Sequence, residues 1–357
     1  MLIVAMGPPS AFTRWGLHIL RAVADAALGA YDVATVNRVD ELHDAWRSRR
    51  TEHFLAFIDI PEARIAKTLQ RTRARVVAFL EDPVDVVGYV MAERAAGWRD
   101  ALRTTASCLA AMHDVYLMPS TRVVRRAAGL CARDVLFAVA NHLGLELTEA
   151  QLRAAFARLH AGADEAVEAQ ILRHVGHARP IGASPAGISA QDLGALEAAC
   201  APFRSLLESR PVESVPWPRQ LFIGGEGEYG EPAARVDMTG PARFLFAGPY
   251  LHLPRGDWAA ELIFSVDGNR SGNAAILDVH SGGLLARGTA ALPPRGDFRI
   301  ELPFRVREPA RPIELRLQIA EGAIEGGFRF RAATMRRRGA GGHAPHALTS
   351  AQTLQSG

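Results

Sequence analysis

From residue 2 to about 118, short apolar runs alternate with longer segments of helical period. That alternation predicts a parallel sheet covered by helices, because each parallel pair needs a crossover of about a dozen residues or more. The candidate strands are LIVAM (2–6), DVATV (32–36), FLAFID (54–59), RVVAFL (75–80) and VYLM (115–118). Right-handed crossovers would gather the turns at Gly7, Asp59, Glu81 and Pro119 along the carboxyl edge of one sheet, where open α/β sheets hold ligands. Residues 130–160 and 189–208 read as helices, with HVGHARPIGASPAG between them as a loop.

The pattern changes after RPVESVPWPRQ (210–220). In DWAAELIFSV, Trp258, Ala260, Leu262, Phe264 and Val266 share one face and Ala259, Glu261, Ile263 and Ser265 the other. RFLFA, AAILDVH, FRIELPF, IELRLQIA and FRFRAAT repeat this period between Gly/Pro/Asp turns, which predicts an all-β antiparallel sandwich. The expected organisation is an α/β domain with a helical extension over 1–209, a jelly-roll-like β-sandwich over 210–335, and a disordered tail over 336–357.

A chain of 357 residues has room for both domains. Its net charge of only +3 argues against a nucleic-acid partner, which needs basic charge concentrated on one surface. Cys108, Cys131 and Cys200 stand far apart, fitting neither a disulfide framework nor paired zinc ligands. They suggest a reducing compartment. With no membrane span and no secretory signal in view, the expected location is cytoplasmic, and no metal is expected.

The opening GPPSAFTRW resembles the phosphosulfate loop of sulfotransferases, roughly Gly-x-Pro-Arg/Lys-Ser-Gly-Thr-Thr-Trp, with Gly7, Pro9, Thr13 and Trp15 in register. VVAFLEDPVDVVGYVMAE is similar to the family's second donor segment at Asp82, Pro83, Asp85 and Val86. LCARDVLFAVANHLGLELTEAQLRAAF is similar to a third segment at His142-Leu143-Gly144-Leu145. The three occur in the family's order over residues 1–160. The resemblance implies 3′-phosphoadenosine 5′-phosphosulfate as the donor if the protein is active. Gly7, Ser10, Thr13, Arg14, Asp85 and Tyr89 would line its site, and His18 or Asp59 would act as base on a carbohydrate hydroxyl.

The departures fall on the residues that would grip the donor. Ser10 stands for the basic residue, Ala11 for the serine and Phe12 for the glycine of close approach; Glu81 and Tyr89 replace the Arg and Ser expected on the 3′-phosphate. A carboxylate ~4 Å from a phosphate charge costs on the order of 4 kcal/mol at an effective dielectric of ~20. Asp59, Glu81, Asp82 and Asp85 with His18, His53 and His113 could instead bind a cation or serve as acid and base. Asp82 and Asp85 around Pro83, and Asp59 before Pro61, also read simply as turn and helix-start residues.

Gly225–Gly230 satisfies GxGxxG but leads into EPAARVDMTG rather than a helix, so it reads as an inter-strand loop. The segment DMTGPARFLFAGPYLHLPRGDWAAELIFSV resembles sandwich modules of bacterial polysaccharide and surface-glycan assembly proteins, and carbohydrate-binding jelly rolls. The resemblance implies sugar stacking on Tyr229, Tyr250 or Trp258 and hydroxyl contacts from Asp237, Arg243 or Asn273. Trp258 belongs to the apolar face of its strand. Tyr250, read as part of a Gly248-Pro249-Tyr250 turn, is the preferred substrate-binding candidate. The expectation is a degenerate sulfotransferase-like, carbohydrate-interacting accessory protein; a working sulfotransferase is the alternative.

Overall fold

The computed structural model describes residues 1–160, 162, 164–176, 179–224, 235–339 and 352–353. The chain forms two compact units, Met1–Gly187 with Phe203–Pro211, and Ile188–Pro202 with Val212–Gly357. One is a parallel α/β sheet with helices, the other an antiparallel β-sandwich.

The first unit runs β1 (Leu2–Met6), α1 (Ala11–Ala27), β2 (Tyr31–Thr35), α2 (Val39–Ser48), β3 (His53–Ile58), α3 (Ala63–Thr72) and β4 (Arg75–Leu80). It continues with α4 (Pro83–Arg94), α5 (Trp98–Tyr116), β5 (Thr121–Arg125), α6 (Ala132–Leu143), α7 (Glu149–Arg158) and α8 (Val167–Val175). The strand order is β2-β3-β1-β4-β5, with every pair parallel. The loop after β1 therefore lies mid-edge, between the turns that follow β3 and β4.

Helix α1 starts where Ser10 accepts a hydrogen bond from the Thr13 amide, and it buries Phe12, Trp15, Ile19 and Val23 at helical spacing. Gly16 lets this helix lie against the sheet, since a Cβ there would come within 2.4 Å of the Phe79 ring. Asp82 caps α4, with Pro83 in its first turn. That helix ends at Ala95, in the left-handed region at φ 50°, before Gly97 caps the start of α5.

The fifth strand differs from expectation. Residues 115–118 are not a strand: Val115 and Tyr116 close α5, whose buried face includes Leu109 and Met112. A short apolar run cannot be told from a buried helix end by period alone. The strand is TRVVR (121–125), so Pro119 lies at its amino end, and Arg126 takes the carboxyl-edge position that Pro119 was expected to hold. Helix α8 falls in a stretch for which the sequence suggested no element.

The second unit holds α9 (Ala190–Cys200), β6 (Ser214–Trp217), β7 (Ile223–Gly224), β8 (Val236–Asp237), β9 (Phe244–Leu251), β10 (Gly256–Asp267) and β11 (Ala274–His280). It is completed by β12 (Leu284–Ala291), β13 (Arg295–Val306), β14 (Ile313–Ile319), β15 (Gly327–Arg337) and β16 (Gln352–Thr353). One sheet has the order β16-β13-β10-β15-β6, with β8 also paired to β15; the other is β12-β11-β14-β9-β7. Between them pack Phe246 on Phe330 (centroids 4.6 Å apart) and Phe264 on Phe328 (5.1 Å), with Trp258 fully buried.

Three details depart from the sequence reading. Strand β12 (LLARGTAA) was not expected; Tyr250 lies within β9, at a register shift and with φ 64°, rather than in a turn; and β15 runs to Arg337, into the expected tail. Gly225–Gly230 and Tyr229, and residues 340–351 and 354–357 of the tail, lie outside the described residues.

On the outer face of the larger sheet the arginines meet acids. Arg299 and Arg336 bond Glu261, while Arg305, Arg331 and Arg295 pair with Asp257, Asp297 and Asp267. The basic charge is thus largely neutralised in place. No helix among the described residues is long and apolar enough to cross a membrane.

Candidate functional site

The loop after β1 is closed by its own residues. Gly7 to Thr13 are all buried. The Ser10 hydroxyl caps the Thr13 amide at 3.0 Å and lies 3.1 Å from the Thr13 hydroxyl, which donates to the Phe79 carbonyl at 3.2 Å. Gly7 is needed for packing, because a Cβ there would stand 2.3 Å from both the Phe79 oxygen and Thr13 Oγ1. Phe12 is 0% exposed, stacked on Trp15 at 5.6 Å and edge-on to Phe79 at 5.7 Å. Pro8 and Pro9 offer no N–H. A phosphosulfate needs small residues, free amides and positive charge here, so these residues do not fit the donor.

Arg14 points elsewhere. It pairs with Glu93 at 2.9 Å, and its guanidinium lies 5.5 Å from the centroid of Tyr89. Burial pushes the Tyr89 phenol up to about 12. His18 stacks on His174 of α8 at 4.7 Å, and burial, with His174, Arg21 and Arg158 around it, lowers its pKa. Asp59 accepts from the Asn37 amide at 3.0 Å, while Asn37 Oδ1 receives the Asp59 and Ile60 amides. The two base candidates thus have separate partners. His53 starts β3 at the opposite edge beside the Met1 amine, and His113 is buried in α5 against Asp114.

The carboxylates at the carboxyl edge do gather, but each has a partner. Glu81 meets Arg126 at 2.6 Å, both side chains almost wholly out of water. Arg126 also donates to the Arg179 carbonyl at 2.7 Å. Asp82 receives the Val84 amide at 2.9 Å and Arg204 through two nitrogens. Asp85 Oδ2 accepts the Gly182 amide at 3.4 Å; burial foremost, with the charges of Glu81 and Asp82, raises its pKa to about 6. The repulsion expected from Glu81 is therefore offset by Arg126, which the misplaced fifth strand hid. Among the described residues no group of three or more His, Cys, Asp or Glu is placed to hold a metal ion.

The smaller sheet of the sandwich presents a different arrangement on the face turned away from its core. Leu315 and Leu317 of β14 point into the core, so Glu314 and Arg316 share the other face. Glu314, only 8% exposed, accepts the Tyr250 hydroxyl at 2.7 Å and Arg316 at 2.6 Å. One step across the sheet, Asp278 lies opposite both Arg316 and Arg287 in register. Arg287 holds it through two bonds of 2.7 Å, keeping the Asp278 carboxyl below the usual range, and His280 lies 3.6 Å away. An aromatic ring, two guanidinium groups and two buried carboxylates are thus fixed on one sheet face.

Of the residues singled out in the sandwich, only Tyr250 belongs to this patch. Trp258 is core and donates to the Pro254 carbonyl at 2.9 Å. Asn273 bonds the Glu321 carbonyl at 2.7 Å and its side-chain oxygen receives the Ala274 amide at 2.8 Å. Asp237 accepts the Thr239 amide at 2.9 Å, and Arg243 donates to the Thr239 carbonyl at 2.8 Å. Nothing local in the sequence marks Glu314, Arg316, Asp278 and Arg287 as a group, although the alternation in IELRLQIA puts Glu314, Arg316 and Gln318 on one face.

No family model matches the chain, and no curated protein matches it in sequence. Among solved structures it is similar to the xylan-binding module CBM15, with 11% identity and a TM-score of 0.26 over 35% of this chain and 95% of that one. It is also similar to TmCBM61 in complex with beta-1,4-galactotriose (15% identity, TM-score 0.24, 33% of this chain and 81% of that one). A third is the legume lectin-like domain from Entamoeba histolytica (9% identity, TM-score 0.22, 33% and 90%). Likenesses at this level carry no functional argument.

Proposed function

We propose that the protein is a non-catalytic, carbohydrate-interacting protein of bacterial polysaccharide or surface-glycan assembly, with the smaller sheet of its sandwich as the glycan-facing surface. The observation that carries this reading is Glu314 holding the Tyr250 hydroxyl and Arg316 together on one face. Sugars are met by an aromatic ring against the apolar face of the pyranose and by fixed donors and acceptors on the hydroxyls. The patch has both. In the α/β unit, the spent hydroxyls of Ser10 and Thr13 and the buried Phe12 favour a sulfotransferase-like turn without a donor, and a cytoplasmic protein suits the three dispersed cysteines.

A glycan array probed with the full chain tests the proposal. Binding should be confined to a defined glycan class and fall about tenfold or more in Tyr250→Ala, a loss of about 1.4 kcal/mol. An array with no binding, or binding indifferent to Tyr250→Ala and Arg316→Ala alike, refutes it.

A further inference from the structure

The amino edge of the parallel sheet, opposite the turns at Gly7, Asp59 and Glu81, contains a cavity of about 650 Å³. That is within the usual size of a small-molecule site, roughly 300–1,000 Å³. Leu2 of β1, Leu42 and Trp46 of α2 and Leu69 of α3 supply apolar walls. The indole of Trp46 is held on two sides, edge-on to Phe54 at 6.1 Å and under the Arg49 guanidinium at 3.8 Å. It is a fixed wall rather than a mobile one.

Charge on the lining is one-sided. Arg73 and Arg75 both line the cavity, and among the described residues no carboxylate does. Arg75 bonds the Leu143 carbonyl and has no acid partner among the described residues. Arg73 occupies the left-handed position that ends α3, with φ 49°, where glycine sits without strain. Its backbone amide closes the helix, while its side chain makes neither ion pair nor hydrogen bond among the described residues. An arginine in a glycine's place, exposed and uncompensated beside an apolar cavity, suits a ligand that is apolar at one end and anionic at the other.

We propose that this cavity binds a small amphipathic anion, an aromatic or acyl body bearing one carboxylate. The body lies against Trp46, Leu42 and Leu69, and the carboxylate meets Arg73, with Arg75 adding to the positive field. The assignment concerns a second site and stands independently of the glycan reading.

Calorimetric titration of the full chain with naphthoate and with decanoate tests it, beside the neutral naphthalenemethanol and decanol. The expected result is saturable one-site binding of at least one anion, weakened about tenfold or more in its alcohol and in Arg73→Glu. Because Arg73 is exposed, the unfolding temperature of that variant should stay that of the parent, and Arg75→Glu gives a second, independent reading. The proposal is overturned by no saturable binding of either anion up to about 1 mM. Equal affinity for the alcohols, or affinity unchanged in both arginine variants, overturns it as well.

Discussion

Arg126 and Glu81 meet at 2.6 Å with their side chains 3% and 2% exposed, a buried ion pair at the carboxyl edge of the parallel sheet. Such a pair is weak evidence for stability, but breaking it strands a charge. Arg126→Met should therefore destabilise the protein by about 3–5 kcal/mol, and adding Glu81→Gln should recover much of that loss. Urea unfolding of the single and double variants checks both; a double variant no better than the single contradicts the pairing.

Asp85 predicts an unusual pH dependence. The unfolded carboxyl ionises near its ordinary value of 3.8, whereas burial raises the folded one to about 6. Between those values the folded state holds the extra proton, so this group's contribution to stability falls as pH rises from about 4 to about 6. Asp85→Asn keeps an acceptor for the Gly182 amide and has no charge to bury. It should be more stable than the parent at pH 8, by on the order of 2–3 kcal/mol, with the advantage gone near pH 4. Denaturation midpoints that track together across this range would count against the assignment.

The aromatic packing of the first turn gives a third expectation. Phe12→Ala removes a ring that is fully buried against Trp15 and Phe79 and should cost about 3–5 kcal/mol. Gly7→Ala forces a Cβ against the Phe79 oxygen and should cost about 1–3 kcal/mol. If both variants melt with the parent, this turn is open rather than packed.

Tyr250→Phe separates the ring of Tyr250 from its hydroxyl. The variant loses the 2.7 Å bond to Glu314 and should be destabilised by about 1–2 kcal/mol. Glycan affinity should fall less than in Tyr250→Ala, since the stacking surface remains; equal losses would assign the effect to the hydroxyl alone.

Much of the fold was legible because its signals are local. β1 to β4 are compact apolar runs bounded by turns, and the long sandwich strands keep their large apolar residues at every second position, as β10 and β14 show. The failures have physical causes. VYLM is apolar because Val115 and Tyr116 are the buried end of α5, while TRVVR hides a strand behind charged residues that its exposed positions tolerate. LLARGTAA has too many small residues to read as β, and as an edge strand it needs little propensity. The candidate sites depended on pairings across the fold. Nothing near Glu81 announces Arg126, 45 residues on, and nothing near Tyr250 announces Glu314, 64 residues on. The residues of the opening turn were identified, but only packing reveals that Ser10 and Thr13 are already committed to their neighbours.

Thermal melting of the full chain, with 3′-phosphoadenosine 5′-phosphosulfate and in parallel with the glycans selected by the array, tests the central claim most directly. A ligand at about a hundred times its dissociation constant stabilises a fold by about 2.7 kcal/mol, enough to move the transition. The account predicts a shift with glycan that disappears in Tyr250→Ala, and none with the nucleotide. A shift with the nucleotide and none with any glycan would contradict it.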